Sequence, residues 1–75
     1  MKKYAVVIER TSNNYAAYVP DLPGCVATAG TRDDVLEEIR DAIEFHIDGM
    51  REDGEPVPQL QATVDVVEVA EVASG

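Results

Sequence analysis

Three short apolar runs, separated by turn-forming residues, open the chain. They lie at residues 3–9, 15–19 and 25–29. Short runs rich in Val, Ile, Tyr and Thr predict β-strands. Polar residues 11–14 separate the first two runs, and residues 20–24, with two prolines, separate the second from the third. Because tight turns join neighbouring antiparallel strands, the sequence predicts a three-stranded meander.

The first predicted strand is apolar on both of its faces. Alternation places Tyr4, Val6 and Ile8 on one face and Ala5 and Val7 on the other. Strands of this kind are usually covered on both sides. One helix covers only one side of a sheet, so we expect another subunit to supply the second covering.

The turn between the second and third strands is rigid by composition. Pro20 and Pro23 each fix one backbone φ angle. Pro23 and Gly24 stand at the second and third positions of a four-residue turn, the preference of type II. Such a turn is suited to presenting a surface or reversing the chain. Asp21 is expected to cap local backbone amides, as in an Asx turn, or alternatively to reach an Arg or Lys of a partner.

A helix is predicted from Arg32 to Glu52. Thr31 is a suitable N-cap residue, and Gly54 is placed to terminate the helix. Seven apolar residues recur at helical spacing and predict one buried stripe: Val35, Leu36, Ile39, Ala42, Ile43, Ile47 and Met50.

Phe45 does not belong to this stripe. At about 100° per residue, its side chain points well away from the centre of the apolar face. We therefore expect a partner contact there, with Glu44 and Asp48 as acidic support. The alternative is that the ring folds over its own helix or under the following loop. His46, at the margin of the stripe, is expected to be a core or interface residue rather than a catalytic one.

A fourth strand is predicted at residues 62–67. Residues 62–66 alternate strictly between apolar and polar side chains, after a stiff connector at 54–58. At Val66 and Val67 the alternation shifts phase. The shift is consistent with a bulge, a strand end, or a segment that pairs with a second chain. The predicted fold is α+β, in the order β-β-β-α-β, with one long helix packed on a small sheet in a single domain over residues 1–75.

Charge and size restrict the classes of partner. Seventy-five residues bury only a small core, so oligomerisation or a partner is expected. Six basic and fifteen acidic residues give a net charge of −9. This balance opposes direct nucleic-acid binding and favours a basic protein partner, although it could also serve solubility alone.

Motifs for chemistry are missing from the sequence. One cysteine excludes an internal disulfide and a cysteine-based zinc site, and Cys25 fits a small buried thiol better than a nucleophile. Glycine-rich phosphate loops, a GxSxG elbow and zinc motifs do not occur. We therefore expect no enzyme activity, no cofactor and no metal. The sequence contains neither a membrane span nor a signal peptide, so a cytoplasmic location is expected.

The sequence resembles HicB-type antitoxins in four places. These are residues 15–25, the Gly30-Thr31 pair, the acidic start of the helix and the connector at 54–58. The resemblance implies a partial ribonuclease-H-like sheet without catalytic carboxylates. It also implies binding and occlusion of a small basic HicA-type toxin that cleaves mRNA, and assembly into homodimers or larger oligomers. Many members carry an additional DNA-binding domain. This sequence has no space for one, so we expect no direct DNA binding.

Five residues are the predicted partner contacts: Asp21, Leu22, Glu44, Phe45 and Asp48. Two alternatives stay open. The chain could be a stand-alone oligomeric module that regulates or binds a small ligand. It could also be a degenerate nuclease that uses Asp21 and helix carboxylates with magnesium.

Overall fold

The computed structural model describes residues 2–71 and shows the predicted α+β architecture, three antiparallel strands followed by one long helix. The elements are β1 (Val7–Arg10), β2 (Tyr15–Tyr18), β3 (Val26–Ala29) and α1 (Arg32–Glu52). The helix has the predicted bounds. Each strand is shorter than its apolar run because only the residues with a hydrogen-bonded neighbour form the ladder.

The sheet has the order β1-β2-β3, so β1 and β3 form its edges. Val7 pairs with Tyr18, which pairs in turn with Val26, and this apolar row lies on the face away from the helix. Val26 is 64% exposed there. The helix lies over β3 and β2 on the other face. As expected, one helix covers one side only; covering of the open face by another subunit stays a prediction.

The core is small and includes part of the turn between β2 and β3. Six residues are buried: Ala17, Val19, Leu22, Cys25, Val35 and Ile39. The seven predicted stripe residues of the helix are all buried or half-buried, so the helical periodicity correctly identified the packed face. Partly buried residues of the first strand region, including Tyr4, Val6 and Ile8, pack against the same cluster.

Both ends of the helix are capped. The Thr31 hydroxyl accepts a hydrogen bond from the Asp34 amide at 3.1 Å. At the other end Gly54 has φ 72°, and its amide donates to the Arg51 carbonyl at 3.1 Å. The Glu55 amide donates to the Met50 carbonyl at 2.8 Å. Together these two bonds form a Schellman motif, which ends the helix after Glu52. Within the described part of the chain, no helix combines the length and apolar composition needed to cross a bilayer.

The fourth strand predicted at residues 62–67 is not formed. Between residues 53 and 71 the described chain has no strand, and residues 63–71, here called the valine segment, are exposed throughout. Alternation specifies which side chains would share a face, but a strand also needs a neighbour to satisfy its backbone amides and carbonyls. No such neighbour lies beside this segment within residues 2–71. The partial ribonuclease-H-like arrangement stays a prediction.

Candidate partner-binding surface

The turn between β2 and β3 reverses the chain, which is one of its two expected roles, and its apolar residues belong to the core. Val19, Leu22 and Cys25 point inward at a spacing of three, and Leu22 is 0% exposed. The Cys25 amide donates to the Leu22 carbonyl at 3.1 Å, and Gly24 has φ 84°. These are the features of the predicted type II turn. The Val19 amide donates to the Cys25 carbonyl at 3.2 Å and closes the loop.

Asp21 is the one carboxylate of this turn, and it binds the chain's own backbone. Its carboxylate oxygens accept a hydrogen bond from the Gln61 amide at 3.1 Å and from the Ala62 amide at 3.1 and 3.3 Å. Asp21 caps backbone amides, but these lie 40 and 41 residues away along the chain, in place of the local amides that the Asx-turn prediction named. Asp21 therefore ties the segment after the helix to the end of the sheet. We call this contact the Asp21 anchor.

The helix presents an exposed aromatic side chain inside a ring of carboxylates. Phe45, the only phenylalanine of the chain, is 82% exposed. Residues three, four and seven positions apart share a helix face. This spacing places the exposed acidic residues Asp41, Asp48 and Glu52 on the same face as Phe45, and the exposed Glu44 directly precedes Phe45 in the chain. We call Phe45 and these four residues the Phe45 face.

The structure brings together three of the five predicted contact residues. Glu44, Phe45 and Asp48 lie on the Phe45 face, whereas Leu22 is fully buried and is unavailable to a partner. Asp21 is held by backbone amides in a different region. Asp41 and Glu52 belong to the Phe45 face and were not predicted as contacts. Their spacing of four and seven residues from Phe45 is the signal that identifies them.

Cys25 and His46 are the single cysteine and the single histidine of the sequence. Cys25 is buried, as expected, and burial raises the pKa of its thiol from the ordinary value of 9.0. The thiol therefore stays protonated at neutral pH, which lowers its reactivity. His46 is half-buried at the edge of the packed helix face. Across residues 2–71, no three His, Cys, Asp or Glu side chains cluster closely enough to hold a metal ion.

A second surface is a groove of about 540 Å³ between residues 2–6 and the helix. Apolar side chains form its floor, and the principal ones are Tyr4, Val6, Leu36, Ile43 and Ile47. The rim carries Lys2, Arg40 and Arg51 together with Glu44. We call this feature the basic-rimmed groove. It holds three of the six basic residues of an otherwise acidic chain.

A known family matches nearly the whole chain. Residues 4–74 match the sequence profile described as the HicB-like antitoxin of bacterial toxin–antitoxin systems. The match includes the β2–β3 turn, the helix and the Asp21 anchor, so it covers both the fold and the Phe45 face.

Curated relatives match at similar levels of identity. A UPF0150 protein of Archaeoglobus fulgidus is 39% identical over 70 residues, which cover 89% of this chain and 94% of the relative. A UPF0150 protein of Thermoplasma acidophilum is 33% identical over 61 residues, or 80% of this chain and 88% of the relative. An uncharacterized 14.9 kDa protein of Haemophilus phage HP1 is 39% identical over 56 residues. That match covers 75% of this chain but only 42% of the phage protein.

Proposed function

This chain belongs to the HicB-like antitoxin family, and we propose that it neutralises a small basic HicA-type toxin, an mRNA-cleaving enzyme, by covering its surface. The observation that carries the proposal is the Phe45 face, a largely exposed aromatic side chain surrounded by four carboxylates. An aromatic anchor with a charged rim is the arrangement that dominates many protein–protein interfaces.

The chemistry of the Phe45 face matches a basic partner. Burying a phenylalanine ring in a pocket of the toxin supplies apolar area, and few other exposed side chains of the helix do so. The surrounding carboxylates complement Lys and Arg side chains, and the net charge of −9 attracts a basic protein from a distance. The positions of the acidic side chains also fix the orientation of the toxin on the Phe45 face.

The proposed inhibition is by binding rather than by catalysis. The Asp21 carboxylate, the one candidate for metal chemistry in the turn, is engaged by two backbone amides. An occluding protein needs only a stable surface that excludes RNA from the toxin's active site. The acidic charge also leads us to propose that the described residues do not themselves bind operator DNA, because phosphate neutralisation requires Lys and Arg.

Co-expression with the small basic product of an adjacent gene tests the proposal. We expect a complex that survives purification at low salt, and we expect the purified chain to stop RNA cleavage by that protein at about equal molar amounts. Phe45→Ala should weaken the complex by roughly thirtyfold, the size expected for loss of a central aromatic anchor. Isothermal titration calorimetry and an RNA cleavage assay provide the two measurements.

A matched control separates the anchor from general surface hydrophobicity. Val26→Ala also removes an exposed apolar side chain, but on the open face of the sheet. It should leave toxin affinity within about twofold, the usual effect of a surface change outside an interface. Equal losses in Phe45→Ala and Val26→Ala would remove the Phe45 face from the proposal. The absence of any complex at both low and moderate salt would overturn the proposed function itself.

A further inference from the structure

The valine segment leaves the body of the protein directly after the Asp21 anchor. Its four valines, at positions 64, 66, 67 and 69, are 67–84% exposed. The Cα radius of gyration is 15.4 Å, whereas a compact chain of this length has about 11 Å. The longest dimension is 56 Å against 27 and 20 Å for the other two. The segment therefore offers solvent its valines and a backbone that has no neighbouring strand within residues 2–71, the combination that pairs with another strand.

The sheet has a free edge next to the basic-rimmed groove. Among the described residues, β1 is an edge strand whose one partner is β2. Residues 2–6 lead into β1, and Lys2, Tyr4 and Val6 line the groove at a spacing of two, as one side of an extended segment does. A strand added beside residues 2–8 would therefore have the groove on one of its faces.

The valine segment fits this edge because both are apolar on two faces. In an extended segment Val64 and Val66 share one face with Glu68, and Val67 and Val69 lie on the opposite face. The first pair could cover the apolar floor of the groove. The second pair would then lie beside Val7, on the open face of the sheet, where β1 has no covering helix.

The charges of the two surfaces also favour the valine segment as the occupant of the basic-rimmed groove. The valine segment carries three carboxylates, Asp65, Glu68 and Glu71, and no basic side chain. The rim of the groove carries three basic side chains and one carboxylate. In a chain of net charge −9, this rim therefore presents basic side chains to an acidic strand.

We propose that the valine segment of one copy adds as a strand to the β1 edge of a second copy and fills its basic-rimmed groove, forming a reciprocal dimer. The segment does not occupy its own groove in the structure, since its valines are exposed and the groove is open. A reciprocal exchange uses each segment and each groove once, which closes the assembly at two copies. This inference goes beyond the toxin contact. Phe45 lies about 200° around the helix from Ile43 and Ile47, so its ring is on nearly the opposite side, and Glu44 is the one residue of the Phe45 face that also lines the groove.

Charge reversal in two separate variants tests the proposal with the full chain. One variant carries Arg40→Glu and Arg51→Glu on the groove, and the other carries Asp65→Lys and Glu68→Lys on the segment. All four residues are exposed, so the fold should be retained. Electrostatic effects extend over about 10 Å at 0.1 M ionic strength, so the test does not depend on particular ion pairs.

We expect the unaltered chain to sediment as a dimer and each variant to dimerise roughly a hundredfold more weakly, since each dimer contains four repulsive contacts in place of attractive ones. Mixing the two variants should restore dimers. In the mixed dimer, the unaltered acidic segment of the first variant meets the unaltered basic groove of the second. The basic segment of the second variant meets the acidic groove of the first. Analytical ultracentrifugation over a concentration series, at 0.1 M and 1 M salt, gives the measurement.

Several results would overturn the proposal. They are a monomeric unaltered chain at all concentrations, dimers that neither variant weakens, or weakened variants that do not recover on mixing. If the valine segment docks on the groove of its own copy, the unaltered chain will be monomeric and the amides of residues 63–71 will exchange slowly. Arg32→Glu, compared with Arg40→Glu alone, is the matched control, because it makes the same charge change outside β1 and outside the lining of the groove and should leave dimerisation unchanged.

A double variant in the valine segment tests the apolar contact directly. Val64→Asp with Val66→Asp alters only exposed side chains and cannot disturb the core. It should abolish dimers and leave toxin binding by the Phe45 face intact. If toxin binding is lost while dimers persist, the dimer assignment is wrong and the toxin contact includes the segment. If no toxin is bound by any variant but dimers behave as expected, the proposed function fails and the dimer stands.

Discussion

The β2–β3 turn and the valine segment have similar apolar content but opposite environments. In residues 19–25 the apolar side chains of Val19, Leu22 and Cys25 are buried, although the segment is a turn. In residues 63–71 four valines are exposed, although their alternation is typical of a strand. The turn is closed by its own hydrogen bonds and packs beneath the helix. The valine segment has no neighbouring strand among residues 2–71.

This contrast shows that apolar content alone does not decide burial. Burial requires that backbone polar groups be satisfied at the same time. The turn achieves this locally, because amides and carbonyls of Val19, Leu22 and Cys25 bond to one another. A strand achieves it only with a partner. The four predictions below test this difference, beginning with the largest expected effect.

The largest effect should come from the turn. Leu22→Ala removes a fully buried side chain and should lower the free energy of unfolding by about 2–5 kcal/mol, the range for cavity-forming core substitutions. Val69→Ala in the valine segment should change it by less than about 0.5 kcal/mol in dilute protein. Urea denaturation followed by circular dichroism measures both. Similar losses would show that the segment is packed in solution.

The Asp21 anchor joins the two regions and should have the next largest effect. Asp21→Ala leaves the amides of Gln61 and Ala62 without their carboxylate partner, and we expect a loss of about 1–2 kcal/mol. Amide exchange at both residues should accelerate. Asp65→Ala is the control, since its carboxylate accepts only from the adjacent Val66 amide, at 2.7 Å. Unchanged exchange at residues 61 and 62 would mean that the anchor does not form in solution.

The helix end gives an effect near 1 kcal/mol, with a control of opposite sign. Gly54→Ala places a side chain at φ 72° and should destabilise the protein by about 1 kcal/mol. Gly49→Ala lies within the helix, where an added Cβ meets no atom within 4 Å. It should stabilise by about 0.5–1 kcal/mol because alanine favours the helix. Thermal unfolding of both variants tests the prediction, and two shifts of the same sign would contradict it.

The smallest effect concerns the Cys25 thiol. Burial raises its pKa in the folded state, so folding favours the protonated form. The contribution to stability is fully present below pH 9.0, the ordinary thiol pKa, and is lost as pH rises through the higher folded value. The unaltered chain should therefore lose more stability than Cys25→Val above pH 9.0. Parallel curves for the two proteins in this range would show that the thiol does not couple to folding.

The predictions that rested on local signals were the most accurate. The helix bounds followed from Thr31, Gly54 and the apolar stripe, all of which act within a few residues of the element that they define. The type II turn followed from Pro23 and Gly24 in the same way. The exposure of Phe45 followed from its angle around the helix. Each of these features depends on backbone geometry or side-chain direction within one element.

The candidate site was predictable only in part. The acidic neighbours of Phe45 lie on one helix and follow from residue spacing. The position of Leu22 does not, because no pattern in a turn specifies which side faces the core. The partner of Asp21 lies forty residues away along the chain, and sequence proximity suggested a local amide instead.

By itself, the sequence determined the three strands of the meander and the helix, the capped ends of α1, the packed face of that helix and the acidic charge of the opposite face. These properties arise from short-range geometry and from composition. Only the tertiary structure decided that the proline turn belongs to the core, that Asp21 holds residues 61 and 62, and that the valine segment has no neighbouring strand within residues 2–71. These three outcomes depend on which distant groups meet in space, and contacts between distant groups leave no periodic signal in a single sequence.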